Sequence, residues 1–301
     1  MMTTFARSWR GVWEYVFNRE PREGRVGESV FGKVGEYIDT ELGSTHVKYR
    51  KKEGSKVTIV LLHGLGGSLH LYEEIAEELS KEYSVLSYDF YDRGCSESDR
   101  VKYPLNFFGV HPLKFTLNLH CKQLHEVIQQ TEAKNLVLVG HSTGGAVALR
   151  YAINNEVKGL VLMDAVVLPP KKTFAAKLAE IPILGDLIVM LFGRSSFLDF
   201  YRRCVFDIKQ SLDHLNVTNI ILKKNPRFIA AMASTNRYCE GFTSSLLPDF
   251  TLICDRHIPL TLLWGEADFA TPYIHCQQLH AVASKAYYCH TANDSASSLL
   301  G

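Results

Sequence analysis

The chain is predicted to be an α/β protein, with a mostly parallel central sheet, helices on both of its faces and an inserted helical cap. Two patterns predict this. Short continuous apolar runs, of the kind buried on both faces of a parallel sheet, recur at residues 56–62, 83–88, 135–139, 157–163 and 259–264. Helical-period segments separate the first four runs, and such alternation builds parallel strands with helical crossovers. Between the fourth and fifth runs, Pro169-Pro170 breaks the alternation, and a helical stretch without a clear strand continues to about Arg256. The division that follows is an amphipathic segment and connector at 1–35, a core formed by 36–168 and 257–301, and a cap at 169–256.

Residues 36–42 and 45–51 are short strand candidates around Gly43-Ser44 and read as an opening hairpin. The run at 56–62 ends in His63-Gly64-Leu65-Gly66-Gly67. Ser68 is placed to cap a helix whose Tyr72, Ile75, Ala76 and Leu79 share one face, with Glu73, Glu74, Glu77 and Glu78 on the solvated side. The strand at 83–88 leads into the loop Asp89-Phe-Tyr-Asp-Arg93-Gly-Cys-Ser96. Leu117, Leu124, Val127 and Ile128 form the apolar side of a helix at 116–130. Cap helices are expected at 174–181, 184–192, 196–206 and 226–239. The strand at 259–264 is followed by the turn Gly265-Glu-Ala-Asp268, a short helix after Pro272 and a last strand at 286–289.

Composition narrows the function classes. A net charge of +1 and the lack of any basic run give no overall field to recruit nucleic acid. Seven scattered cysteines, never spaced as Cys-x-x-Cys, suit free thiols in a reducing compartment, so neither a metal nor a cofactor is expected. No stretch approaches the roughly 20 apolar residues of a spanning helix, and Arg7, Arg10 and Arg19 interrupt any secretory apolar region. Phe5, Trp9, Val12, Trp13, Val16 and Phe17 nevertheless recur at helical spacing. Three readings stand for this stripe: a helix packed on the body, an interfacial membrane anchor, or an Arg-rich transit peptide. The expected compartment is the cytoplasm, with peripheral membrane contact through residues 5–17 or the cap, or organellar targeting, as the alternatives.

The chemistry is expected at Gly140-His141-Ser142-Thr143-Gly144. An apolar run, a sharp turn and a resumed helical period lift the serine clear of the sheet, while Gly140 and Gly144 let strand and helix backbones pass closely. Ser142 is the candidate nucleophile; otherwise it only caps the helix.

These segments in this order resemble the α/β-hydrolase superfamily, specifically serine hydrolases with a helical cap, over roughly residues 36–282. Four motifs carry the likeness: His63-Gly-Leu-Gly-Gly67, Asp89-x-x-x-Arg93-Gly-x-Ser96, Gly140-His-Ser-Thr-Gly-Gly145, and Trp264-Gly-Glu-Ala-Asp268 followed by Thr271-Pro272. The resemblance implies a triad in the order Ser142, Asp268, His290. Glu266 and Asp164 are the alternative acids, and Asp268 also reads as a plain turn aspartate. His290 directly follows the last strand candidate, whereas His275 and His280 fall in the preceding helix; His290 as a surface histidine, or His280 as the base, are the alternatives. The resemblance also implies oxyanion donors at the N–H groups of Leu65 and Thr143, with Gly66 and Gly67 keeping that loop slim for an approaching substrate. His63, Gly64 and His141 are expected to shape loops, and Asp89, Arg93 and Ser96 to form a hydrogen-bonded structural loop. Asp92 stands where the family often has glycine. A serine at 142 separates the chain from the dehalogenase and epoxide hydrolase branches, which use a carboxylate.

Two functions of different class follow. One is a carboxylic-ester hydrolase acting on a small-molecule ester, a lipid or acylglycerol among them, through an acyl-enzyme on Ser142; amide and carbon–carbon bond hydrolysis use the same triad. The other is a catalytically silent small-molecule binding protein. That second reading comes from the carboxyl terminus, where the family pattern places a Gly-His step and a further helix, and where this chain reads as shortened or altered. The apolar residues of 184–192 exceed what one buried face needs and read as core packing, an acyl tunnel or a membrane-facing surface.

Overall fold

In the computed structural model, residues 36–106, 109–172, 177–178, 180–181, 184–204, 212–225, 227–283 and 288–292 are described, with backbone alone at 212–213 and 288–292. The 5–17 stripe and half of the 174–181 helix candidate lie outside the described residues.

The strands are β1 (Glu36–Thr40), β2 (Gly43–Arg50), β3 (Thr58–Leu62), β4 (Ser84–Tyr88), β5 (Glu97–Ser98), β6 (Leu136–His141), β7 (Gly159–Met163), β8 (Leu260–Gly265) and β9 (Tyr288–Ala292). They form one sheet in the order β1-β2-β4-β3-β6-β7-β8-β9, with β5 on β2. β1 and β2 pair antiparallel and β2 meets β4 antiparallel; from β4 to β9 every pair is parallel. The chain steps from β3 to β4, then returns past β3 to lay down β6. Such a reversal opens a crevice at the carboxyl ends of the two strands that flank it, which is where ligands bind in sheets of this kind.

Every residue of β3 is buried, because the strand alternates between two cores. Ile59 and Leu61 face Tyr72 and Ala76, the latter on α1 (Glu73–Leu79). Val60 and Leu62 face the larger core formed with α2 (Leu117–Thr131) and α3 (Thr143–Asn154). The cap helices α4 (Leu184–Cys204), α5 (Leu212–Lys224) and α6 (Phe228–Tyr238) gather around Phe197, Ile221, Leu222 and Phe228. Phe250 and Ile253 of α7 (Leu247–Asp255) and Leu279 of α8 (Ile274–Val282) join the larger core, and Arg150 of α3 bonds Asp249 at 2.5 Å.

Four local expectations change. The hairpin turn lies at Glu41-Leu42 rather than at Gly43-Ser44, which already pair with Ser98 and Glu97 of β5. A Cβ at Gly43 would stand 2.1 Å from the Glu97 carbonyl oxygen, so the glycine serves this close pairing. Ser68 makes no side-chain cap; a 3-10 turn at Leu69–Tyr72 intervenes before α1. The 184–192 and 196–206 candidates are one helix, α4, that runs through Gly193. The last strand, described over Tyr288–Ala292, ends later than expected.

Candidate active site

Ser142 occupies the turn between β6 and α3, at the reversal of the sheet. Its φ of 52° and ψ of −115° lie in a region that costs a non-glycine residue roughly 1–3 kcal/mol. Backbone bonds hold it there. The Ser142 N–H donates to the Met163 carbonyl at 2.9 Å, and its own carbonyl accepts from Gly145 and Val166, each at 3.1 Å. The serine hydroxyl does not cap α3. The helix-cap alternative therefore has no hydrogen bond to rest on.

Three glycines make the crowding possible. A Cβ at Gly144 would lie 2.0 Å from the Leu62 carbonyl oxygen, and one at Gly140 would lie 2.4 Å from the Gly144 oxygen. At Gly64 it would lie 3.2 Å from Ser142 Cβ, so the loop after β3 passes directly beside the serine. In that loop the Leu65 N–H, like the Thr143 N–H at the start of α3, has no acceptor among the described residues. Thr143 is buried, and buried backbone donors are nearly always paired. Two idle N–H groups on either side of Ser142 form the kind of arrangement that accepts an oxyanion.

The glycines at 66 and 67 are closely approached by neighbouring side chains. A Cβ at Gly66 would stand 2.3 Å from the ring of Phe197, and one at Gly67 would stand 2.9 Å from Leu71. Helix α4 thus rests a phenylalanine on the loop after β3.

His63 is structural. Its Nε2 accepts the Phe90 N–H at 3.0 Å and its Nδ1 bonds the Gly64 carbonyl at 2.7 Å, while burial lowers its pKa to about 4. Burial likewise lowers His141 to about 4, against the pull of the Asp268 charge, and its enclosed Nδ1 has no partner.

Asp268 is buried in the turn after β8. One carboxylate oxygen accepts the N–H groups of Ala270 (2.6 Å) and Thr271 (3.0 Å), and the other accepts the Thr271 hydroxyl at 2.9 Å. Trp264 pins the same turn by donating to the Thr271 carbonyl at 2.8 Å. Beside it, at the end of β7, Asp164 is fully buried with a positive φ of 44°. Its Oδ1 accepts the Gly265 N–H at 2.9 Å, and its Oδ2 has no donor. Burial, with the neighbouring Asp268 carboxylate, raises Asp164 to about 8, against the Gly265 bond. Asp164 is therefore a neutral acid at neutral pH. Folded protein keeps that proton up to about pH 8, whereas an unfolded chain loses it near pH 4, so stability falls as pH rises through this window. Asp164→Asn should flatten the fall by on the order of a few kcal/mol between pH 5 and pH 8 in urea unfolding; parallel curves for parent and variant would contradict the assignment.

His290 lies within β9, opposite Leu263 and two residues before the strand ends at Ala292. It was expected just beyond the strand. The run Ala286-Tyr-Tyr-Cys has no glycine or proline to stop it, and Thr291 carries the strand on. The His290 side chain lies outside the described residues. His275, half-buried near the start of α8, feels the Asp268 charge and leaves its Nδ1 unpartnered; His280 is exposed.

The loop after β4 is a hub. Asp89 accepts the N–H groups of Leu69 (2.7 Å) and Cys95 (2.8 Å) and bonds His46 Nδ1 at 2.9 Å; the Ser96 hydroxyl donates to the Asp89 carbonyl at 2.7 Å. His46, Asp89 and Cys95 are close enough to share a cation. The carboxylate is already committed to these donors, however, and burial pushes the Cys95 thiol well up, so the set suits a hydrogen-bonded strut better than a metal. Asp92 bonds His111 Nε2 at 2.9 Å and Arg227 Nε at 3.3 Å. Burial alone would raise it, but these partners hold it at about 2. Arg227 ties the cap to the core, and nothing local in the sequence points to it.

Comparison with known proteins identifies the fold. The family described as alpha/beta hydrolase fold matches residues 57–299. The magnesium-chelatase 30 kDa subunit of Rhodobacter capsulatus is 31% identical over 147 residues, covering 46% of this chain and 46% of that protein. The chain thus spans about half the length of that relative. Among solved structures, the enol-lactonase of Burkholderia xenovorans superposes with a TM-score of 0.68 at 16% identity, covering 87% of this chain and 93% of the other. An esterase of Exiguobacterium antarcticum gives 0.66 at 19% identity, covering 87% and 92%. At these identities the structural likeness speaks for the fold.

Proposed function

The chain belongs to the α/β-hydrolase family, and from that premise we propose that it is a serine hydrolase cleaving carboxylic esters, with Ser142 as nucleophile. One observation carries the reading: a serine held in a strained turn beside Gly64, with the N–H groups of Leu65 and Thr143 lacking an acceptor among the described residues. A serine hydroxyl needs a base and an acid to orient it. In this reading His290 is the base and Asp268 the acid. Attack on the ester carbonyl gives an acyl-enzyme and releases the alcohol; water then returns the serine and releases the carboxylic acid.

The substrate is an ester with an apolar acyl chain, a lipid or acylglycerol. Leu184 (45%), Leu191 (39%) and Phe192 (51% exposed) leave apolar surface on α4, and Phe200 meets Phe269, the residue after Asp268, edge-on at 5.6 Å. Such a surface suits peripheral contact with a lipid interface, together with the 5–17 stripe. The scattered free thiols suit the cytoplasm. A series of p-nitrophenyl esters tests the reading: turnover should rise from acetate to octanoate or longer. A sharp preference for acetate would end the lipid assignment.

A second reading, a hydrolase-fold binding protein without turnover, is favoured by one observation. The backbone of His290 sits inside β9, not in the loop beyond it.

A further inference from the structure

We infer that Arg93 is a positioning residue through which cap helix α6 sets the aim of the loop carrying the Leu65 N–H; this rests on that N–H being an oxyanion donor. Three bonds define the link. Nε donates to the Leu65 carbonyl at 2.9 Å, Nη1 to the Tyr91 carbonyl at 3.3 Å, and Nη2 to the Thr235 hydroxyl oxygen at 2.7 Å. These acceptors belong to the loop after β3, the loop after β4 and α6. The Thr235 hydroxyl in turn donates to the Ala231 carbonyl at 2.9 Å, which leaves its oxygen turned to Arg93 as an acceptor. The link is continuous from the helix to the loop.

The guanidinium is only 1% exposed, and among the described residues no carboxylate pairs with it directly. It lies over the rings of Phe115, 5.5 Å from the centroid, and Phe228, 5.9 Å. A buried cation without an ion-pair partner is costly, so its few hydrogen bonds are held tightly. The Leu65 carbonyl sits on the same residue as the N–H in question. The N–H lies in the peptide plane whose Gly64 carbonyl is held by His63 Nδ1 at 2.7 Å and by the Gly67 N–H at 3.1 Å, and Arg93 holds the next plane, so releasing Nε frees the Leu65 Cα on which both planes hinge.

Helix α6 is fixed well enough to act as the reference. Arg227, just before its first turn, reaches back to Asp92, and its Nη2 donates to the Ser98 hydroxyl at 2.9 Å and to the Tyr103 carbonyl at 2.6 Å. Adjacent residues of one loop thus exchange guanidinium contacts with the cap in opposite directions. Phe197 of α4 lies against Gly66 of the same loop.

Thr235→Val removes the acceptor while keeping the side-chain shape, and Thr235→Ser restores the hydroxyl. Arg93→Lys keeps the charge but cannot span both acceptors, and serves as a second variant with the same expectation as Thr235→Val. Amide hydrogen exchange at residues 65–67 and turnover of p-nitrophenyl butyrate are measured on the full chain. Thr235→Val should speed that exchange about tenfold or more, and lower kcat about ten- to hundredfold with KM within about twofold, because misaiming a donor costs this much. Thr235→Ser should return both to parent values. Unchanged exchange at 65–67 in both Thr235→Val and Arg93→Lys would overturn the inference, as would a kcat loss that Thr235→Ser fails to rescue. Faster exchange in Thr235→Val, with a parent that turns over no ester, would support the link and remove the ester-hydrolase assignment.

Discussion

Gly144→Ala is expected to leave a chain that does not reach the native fold. The added Cβ would stand 2.0 Å from the Leu62 carbonyl oxygen, 2.5 Å from its carbon and 2.8 Å from the His63 oxygen. All three are backbone atoms of β3 and the loop after it. No rotamer change relieves such a clash, so α3 must move off the sheet and take Val147 and Ala148 out of the larger core. We expect a loss of about 4 kcal/mol or more, at the extreme for a single substitution. Gly159→Ala is the control, because its Cβ would meet only the Pro259 oxygen at 3.4 Å and the Pro259 Cβ at 3.7 Å. That variant should change stability by no more than about 1 kcal/mol. Urea unfolding of the two proteins makes the comparison, and equal stability would mean that strand and helix are less tightly apposed than described.

Asp268→Asn is expected to lower kcat on p-nitrophenyl esters by about 10⁴-fold, in line with loss of the acid from other serine triads. The variant should fold, since an amide oxygen can still accept the Ala270 and Thr271 N–H groups now bonded by Oδ1. Asp164→Asn should cost less than about tenfold, because a neutral acid beside Asp268 is replaced by a neutral amide that still accepts from Gly265. If the two losses came out the other way round, Asp164 would be the triad acid. The same assay separates the bases: His290→Ala should match Asp268→Asn, and a loss confined to His275→Ala would move the role to α8.

Much of this site is legible before any coordinates. The serine turn is a local device, in which an apolar run, small residues and a helical period fall within one stretch. The parallel strands announce themselves because both faces are buried, as in β3. Contacts that depend on distant residues are silent. Arg227 reaches Ser98 across 129 residues, and Arg93 reaches Thr235 across 142, with no periodicity to mark either. Gly193 reads as a helix break because of its propensity cost of about 1 kcal/mol. In the fold α4 runs on through it, and α6 comes close there, since a Cβ would stand 2.7 Å from Ile229. A strand edge made of tyrosines and threonine carries no stop signal, so a shift of a few residues moved His290 from loop to strand.

The central claim is that Ser142 is an activated nucleophile, and a fluorophosphonate probe tests it most directly. Incubated with the folded full-length chain and mapped by mass spectrometry, the probe should modify Ser142, and Ser142→Ala should abolish the labelling. A folded parent that takes up no label at Ser142 would contradict the account and leave a hydrolase fold that binds without turning over.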